Sequence, residues 1–395
     1  MGTTIQINEE AVKSIRKGNF LIYKTYFRPE TYHVNEGELL TFQDEQGRFV
    51  GRGYYGQQNI GHGWVLTKDV QTQINEVFFT NALQEAFNDR KVIREDEQTS
   101  AFRLFNGEGD GIGGLTIDVY AEYCVVTFYS KGIYAFKSEI IHALQKVVAP
   151  VGIYEKKRFA TDGKYEGEDD FVIGERGEFP MLVQENGMHF AVNLNDGPMT
   201  GIFLDQRDVR KKIRDEYAYE KDVLNLFSYT GAFSVAAALG GAKQTTSVDL
   251  ANRSRAKTEE QFLVNGFPVE NERIIVMDVF KYFSYALKKD LSYDLVVIDP
   301  PSFARSKKKT FSVANDYKGL LQEAIAITRS GGTIVASTNA ANVPMNKFKR
   351  FVEQAFKAEN STFTIEEEFG LPDDFKTTNA YVEGSYLKVL FIRKH

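Results

Sequence analysis

The chain has 395 residues, 43% of them hydrophobic and 26% charged, with a net charge of −6. This length asks for two or three domains, and the composition is that of a globular protein, not of a disordered or collagen-like chain. A single cysteine excludes a disulfide framework and a cysteine-based zinc site. The negative charge excludes a general polycation but leaves room for a local basic patch.

The first residues, Met1-Gly2-Thr3-Thr4-Ile5-Gln6, lack the apolar run of a secretory signal. No window approaches the roughly 18 consecutive apolar residues of a membrane span. The expectation is a cytoplasmic protein with no membrane partner.

Residues 1–75 carry short alternating runs, Glu38-Leu39-Leu40-Thr41-Phe42 and Phe49-Val50-Gly51-Arg52-Gly53-Tyr54-Tyr55, separated by turn signals such as Asp44-Glu45-Gln46-Gly47. They predict a small β-rich domain. Over residues 74–94 the apolar positions Val77, Phe78, Ala82, Leu83 and Phe87 follow a helical period. Residues 76–185 then read as an α+β domain, with strands over 114–120, 124–128 and 152–155 and a helix around 134–147. Cys124 sits in the apolar run Tyr123-Cys124-Val125-Val126, the setting of a buried strand residue.

Across residues 186–395 short apolar strands alternate with helical stretches. The strands are expected at 222–227, 245–248, 273–276, 293–298 and 333–337, and the helices at 232–239, 251–265, 279–289, 315–328 and 347–357. Such alternation predicts an α/β fold, a parallel Rossmann-like sheet covered on both faces. Two last runs, 362–369 and 385–392, have no long helix between them and predict an antiparallel hairpin at one sheet edge.

The strand ends carry the chemistry. Asn225-Leu226 runs into the turn Phe227-Ser228-Tyr229-Thr230-Gly231, after which a helix of small residues begins. Open α/β sheets bind ligands at this end of the strands. The second strand ends in Asp249, about twenty residues on, where a carboxylate can accept both hydroxyls of a ribose. The third ends in Asp278, which can receive an adenine amino group. Either acid alone would serve equally as a helix N-cap. Three strand-end groups in one series favour a ligand.

The first turn has one glycine, too few to seat a pyrophosphate, so a ligand with ribose and adenine but no phosphate fits better. A G-x-G-x-x-G match at Gly109, Gly111 and Gly114 precedes a strand instead of a helix, and reads as a turn.

The fourth strand ends in Asp299-Pro300-Pro301-Ser302-Phe303, a loop stiffened by two prolines and suited to clamping a flat base. Arg305, Lys307, Lys308 and Lys309 follow as a basic run. Such a run is usually a solvated face, but its place beside the base pocket suits this one to phosphate contact. The fifth strand delivers Ser337-Thr338-Asn339 to the same rim. His33, His62, His142, His189 and His395 show no ligand spacing, so no metal is expected.

Together these motifs resemble the RlmI/RlmK class of 23S ribosomal RNA methyltransferases over essentially the whole chain. The segments Thr200-Gly201-Ile202-Phe203-Leu204-Asp205-Gln206-Arg207 and Asn106 to Leu115 also look like that family's. The resemblance implies an N-terminal PUA domain, a central α+β domain and a class I methyltransferase domain using S-adenosylmethionine. It implies a cofactor site lined by Asp205, Gln206, Arg207, Phe227 to Gly231, Asp249, Asp278 and Asp299. It implies acceptor chemistry at Asp299, Pro300, Pro301, Phe303 and Asn339.

Members that make 5-methylcytosine carry a cysteine after the fifth strand, because carbon 5 must be activated by a thiolate. Ser337-Thr338-Asn339 has none, and resembles the guanine-N7 enzymes of the RlmQ branch. The expected partner is 23S rRNA or a large-subunit precursor. Another base position and a non-catalytic assembly factor remain as alternatives. The sequence leaves the oligomeric state open, a homodimer included.

Overall fold

The computed structural model describes residues 2–58, 60–159, 165, 169–305 and 310–395. Lys307, Lys308 and Lys309 of the basic run lie outside the described residues, and of Arg305 only the backbone lies within them. The chain groups into two compact units. One is Met1–Val183 with Val192–Thr200 and Asp373–Gly384; the other is Gln184–Ala191, Gly201–Pro372 and Ser385–His395.

The first unit holds two sheets. Strands Thr3–Gln6, Leu39–Gln43, Phe49–Tyr55, Gly61–Thr67 and Leu21–Tyr23 form a five-stranded sheet in that spatial order. The helix Glu9–Arg16 packs Ala11, Val12 and Ile15 into its core, and Asn8 caps it by accepting from the Ala11 amide at 2.9 Å. The second sheet runs Phe171–Gly174, Gly152–Lys157, Tyr123–Phe128, Leu115–Tyr120, Ala101–Asn106, and its core includes residues of helices Glu76–Asp89 and Lys137–Val147. Ala101–Asn106 and Phe171–Gly174 were not anticipated. Cys124 is 1% exposed in this sheet, and burial pushes its thiol up to about 12.

The glycine-rich segment is indeed a turn. Gly107–Asp110 forms a single 3₁₀ turn between two antiparallel strands. A side chain at Gly109 would meet the Lys376 carbonyl at 1.8 Å, so only glycine fits there. Arg90 holds this turn. Its guanidinium binds both oxygens of Asp110 at 2.6 Å and the Asp374 carbonyl at 3.2 and 2.8 Å.

The second unit is a seven-stranded sheet. Its strands are β1 (Asp222–Leu226), β2 (Gln244–Asp249), β3 (Arg273–Val276), β4 (Tyr293–Ile298), β5 (Thr328–Thr338), β6 (Phe363–Phe369) and β7 (Lys388–Lys394), in the order β3-β2-β1-β4-β5-β7-β6. β1 to β5 are mutually parallel, while β7 runs antiparallel to β5 and β6. The expected edge hairpin is present as β6 and β7. Helices α1 (Arg207–Lys212), α2 (Ala232–Leu239), α3 (Asn252–Leu263), α4 (Val279–Lys288), α5 (Val313–Ile327) and α6 (Met345–Ala358) accompany it.

Alternation along each strand splits the core in two. Leu224, Leu226, Val296, Ile298, Leu390 and Ile392 face α4, α5 and α6. Val223, Leu295, Val297, Val389 and Phe391 face α1 and α2. Burial on both faces makes β1, β4 and the second half of β5 mostly apolar, which made them legible in the sequence, whereas β2 buries Thr245, Thr246 and Ser247. Among the described residues no helix is long and apolar enough to cross a membrane.

Both partners of the Arg90–Asp110 pair are 2% exposed. Arg90→Met should therefore leave the buried Asp110 carboxylate with only the Asn106 amide at 2.6 Å and the Lys376 ammonium at 3.9 Å, and cost about 3–5 kcal/mol. Urea titration of the variant measures this; a loss under about 1 kcal/mol would contradict the assignment.

Candidate active site at the strand ends

Pairing register brings the strand ends together. Ile275 lies beside Val248, Val248 beside Leu226, Leu226 beside Ile298, and Ile298 beside Ala336. The next residues along each strand therefore leave the sheet on one edge, around a cavity of about 390 Å³. Of the residues expected there, Asp205, Gln206, Phe227, Tyr229, Asp249, Asp278, Asp299, Pro300, Pro301 and Asn339 line it. Leu250, Val279, Phe280, Phe311, Phe203 and Leu387 supply apolar wall.

The first turn is strained and then tied down. Phe227, Tyr229 and Gly231 adopt left-handed backbone, with φ of 58°, 52° and 78°. A side chain on Gly231 would also meet Thr258 at 2.5 Å. Asp249 fixes the turn, because one carboxylate oxygen accepts from the Tyr229 amide at 2.9 Å and the other from the Ala251 amide at 2.8 Å. The Ser228 amide donates to Val248, and the Thr230 hydroxyl donates to the Gly201 carbonyl at 2.7 Å. Ser228 and Thr230 are buried and lie behind the cavity wall instead of lining it.

Asp278 is a helix cap that also faces the cavity: it caps α4 by accepting from the Lys281 amide at 3.2 Å. Asp205 accepts from the Tyr386 hydroxyl at 2.8 Å. Arg207 is buried and does not line the cavity. The loop before α1 is held by Arg210, whose guanidinium grips Glu185 at 2.7 and 2.6 Å and donates to the Phe203 carbonyl at 2.7 Å. The Phe203 ring in turn packs on Tyr229, with centroids 5.4 Å apart.

On the other side, the Gln206 amide donates to the Ser337 hydroxyl at 2.8 Å, and Ser337 donates to Asp299. Burial pushes the Asp299 carboxyl up to about 6; the hydrogen bond from Ser337 opposes this and the Asp205 charge adds to it. Asn339 accepts from the Ser302 hydroxyl. Phe303 departs from expectation: its ring is 54% exposed and absent from the cavity lining. It opens a short antiparallel hairpin, Phe303–Arg305 with Thr310–Ser312, and Phe311 on the partner strand reaches the cavity instead.

This cavity suits S-adenosylmethionine. It offers carboxylates at successive strand ends for ribose hydroxyls and an adenine amino group, apolar walls for a flat base, and no phosphate seat. The Gln206 side-chain oxygen is buried without a hydrogen-bond partner, an acceptor in reserve beside a donor-rich, cationic ligand. Among the described residues no His, Cys, Asp and Glu side chains cluster to hold a metal.

Sheet order, strand-end cavity and carboxylates define a Rossmann-like class I methyltransferase. Residues 144–391 match the S-adenosylmethionine-dependent methyltransferase family, and residues 5–68 match the PUA-like domain. The chain belongs to this methyltransferase family and uses S-adenosylmethionine. It is 58% identical over 382 residues, 96% of each chain, to YwbD of Bacillus subtilis (strain 168), named provisionally as a ribosomal RNA large subunit methyltransferase. It is 30% identical over 394 residues, 99% of this chain and 98% of the other, to ribosomal RNA large subunit methyltransferase I of Alteromonas mediterranea. The crystal structure of SMU.776 complexed with SAH is similar at a TM-score of 0.91 and 38% identity, covering 99% of this chain and 100% of that one.

Arg210, Tyr386 and Leu387 escaped the sequence reading. The first had a signal, since it follows Arg207 by one helical turn. The others lie just before the N-terminal end of β7, and a search confined to C-terminal strand ends passes over them.

The raised Asp299 carboxyl has a pH consequence. The folded chain holds this proton more tightly than the unfolded chain, whose value is 3.8. Stability is thus lost as pH rises from about 4 to about 6, on the order of 1–3 kcal/mol in all. Asp299→Asn should melt higher than the parent at pH 7.5, with the gap closing toward pH 4. Calorimetry across that range tests it, and a gap that widens on acidification would contradict the assignment.

Proposed function

We propose that this chain methylates a base of 23S ribosomal RNA, or of a large-subunit precursor, at guanine N7. The names of its relatives support the RNA class, and the methyltransferase family supports the reaction. The acceptor is argued from one observation. The chain's single cysteine, Cys124, is buried in the first unit with its thiol held protonated, and the strand end beside Asp299 offers Ser337, Thr338 and Asn339. A route through a thiolate adduct on cytosine has no nucleophile here.

When bound, the cofactor supplies an electrophilic methyl group on sulfur. Guanine N7 presents a lone pair and loses no proton on methylation, so the chain need supply neither nucleophile nor base. Pro300, Pro301 and Asn339 would hold the base in line, and Asp299 would offset the positive charge that develops on it. Asp249 and Asp278 would take the ribose and adenine, with Asp205, Gln206, Arg207 and the turn from Phe227 to Gly231 completing that side. Exposed Phe303 would stack on RNA outside the cavity, and Arg305, Lys307, Lys308 and Lys309 would meet phosphate. Residues 1–75 would bind RNA, residues 76–185 would form the central domain, and residues 186–395 would carry catalysis.

Asp299 favours a second reading. A carboxyl near 6 is suited to taking a proton from an exocyclic amino group. Synthetic RNA with 7-deazaguanine at the target separates the two, because it removes N7 and keeps the amino group. Methyl incorporation should vanish, and substitution with 5-fluorocytosine should trap no covalent adduct. Undiminished incorporation would instead establish the amino acceptor, and a trapped adduct would restore cytosine.

A further inference from the structure

Lys388 opens β7 directly across from Thr338, the last residue of β5. Its side chain belongs to a residue only 6% exposed. The ammonium donates to the Ala340 carbonyl at 3.0 Å and to the Tyr386 carbonyl at 2.7 Å. Burial alone pushes it down to about 8, with no carboxylate offsetting the cost. Ala340 is the residue after Asn339, and Tyr386 both precedes the cavity-lining Leu387 and donates to Asp205. One desolvated cation thus fastens two segments of the cavity rim to each other.

The Ala340 carbonyl also accepts from the Val343 amide at 3.0 Å, so loss of the ammonium leaves no orphan there. An apolar side chain of similar length would fill the same space without the desolvation cost.

We propose that Lys388 is a positioning residue for methyl transfer: it holds the Asn339–Ala340 segment at the height where Asn339 meets the acceptor base. This rests on the RNA methyltransferase reading above. A misplacement of about 1 Å at such a point can slow chemistry about 100-fold while leaving binding intact. Lys388 acts through Asn339 and touches no reacting atom.

The test compares the parent with Lys388→Met and Lys388→Arg in the full chain. Calorimetry measures S-adenosylmethionine affinity, hydrogen exchange follows the backbone amides of residues 339–343, and rates on 23S rRNA give kcat and KM. Lys388→Met should keep its melting point and cofactor affinity, exchange faster at 339–343, and lose about 100-fold in kcat with KM for RNA little changed. Lys388→Arg should recover rate to the extent that it restores protection of those amides. A full rate with a loosened segment, or a lost rate with a protected one, would overturn the proposal. Parental protein inactive on rRNA would defeat the RNA reading alone; unchanged exchange in Lys388→Met would then still overturn the hold assigned to Lys388.

Discussion

Parallel strands pair in fixed register, and in this chain that register is the constraint on which everything else rests. One row of neighbours, from Ile275 through Val248, Leu226 and Ile298 to Ala336, places five strand ends on one edge. A slip of one residue would turn each of these side chains to the opposite face and carry Asp249 or Asp299 into the sheet. Burial on both faces opposes such a slip, because each strand side chain would have to repack into the core of the other face. The stability of the sheet and the placement of the carboxylates are one fact.

Around that edge the chain stores unfavourable features and holds them with specific bonds. Left-handed Phe227 and Tyr229 persist because Asp249 accepts from the Tyr229 amide. The buried Asp299 carboxyl is supplied with a hydrogen bond from Ser337, which Gln206 supports in turn. Arg210 and Glu185 pair out of water to anchor the Phe203 segment. Each is costly in isolation, and their concentration at one cavity is what a preorganised site requires.

The sheet was legible because its physics is local and repetitive. Apolar strands alternating with helices fixed five parallel strands to within a residue or two at most ends, and the lack of a helix before the last run exposed the antiparallel edge. The strand-end acids followed from that count. Three parts were not legible. Phe303 reads as a pocket residue from its place after Asp299-Pro300-Pro301, but the hairpin it starts turns it outward and brings Phe311 in. That exchange depends on a pairing between Phe303 and Ser312 that no periodicity announces. Leu387 and Lys388 were missed because β7 reaches the functional edge with its beginning instead of its end. The return of Asp373–Gly384 to the first unit, where Asp374 meets Arg90, is long-range and leaves no local trace.

The acceptor chemistry proposed for this chain rests on what the cavity contains and on where the cysteine lies. A carboxylate, two prolines and an asparagine can orient a base and answer its charge, while a thiolate is missing from the wall. The most direct measurement is the identity of the product. Large-subunit rRNA methylated by the purified chain with labelled S-adenosylmethionine, digested to nucleosides and resolved by mass spectrometry, should carry its label in 7-methylguanosine. Label in 5-methylcytidine or in an amino-methylated nucleoside would contradict the account.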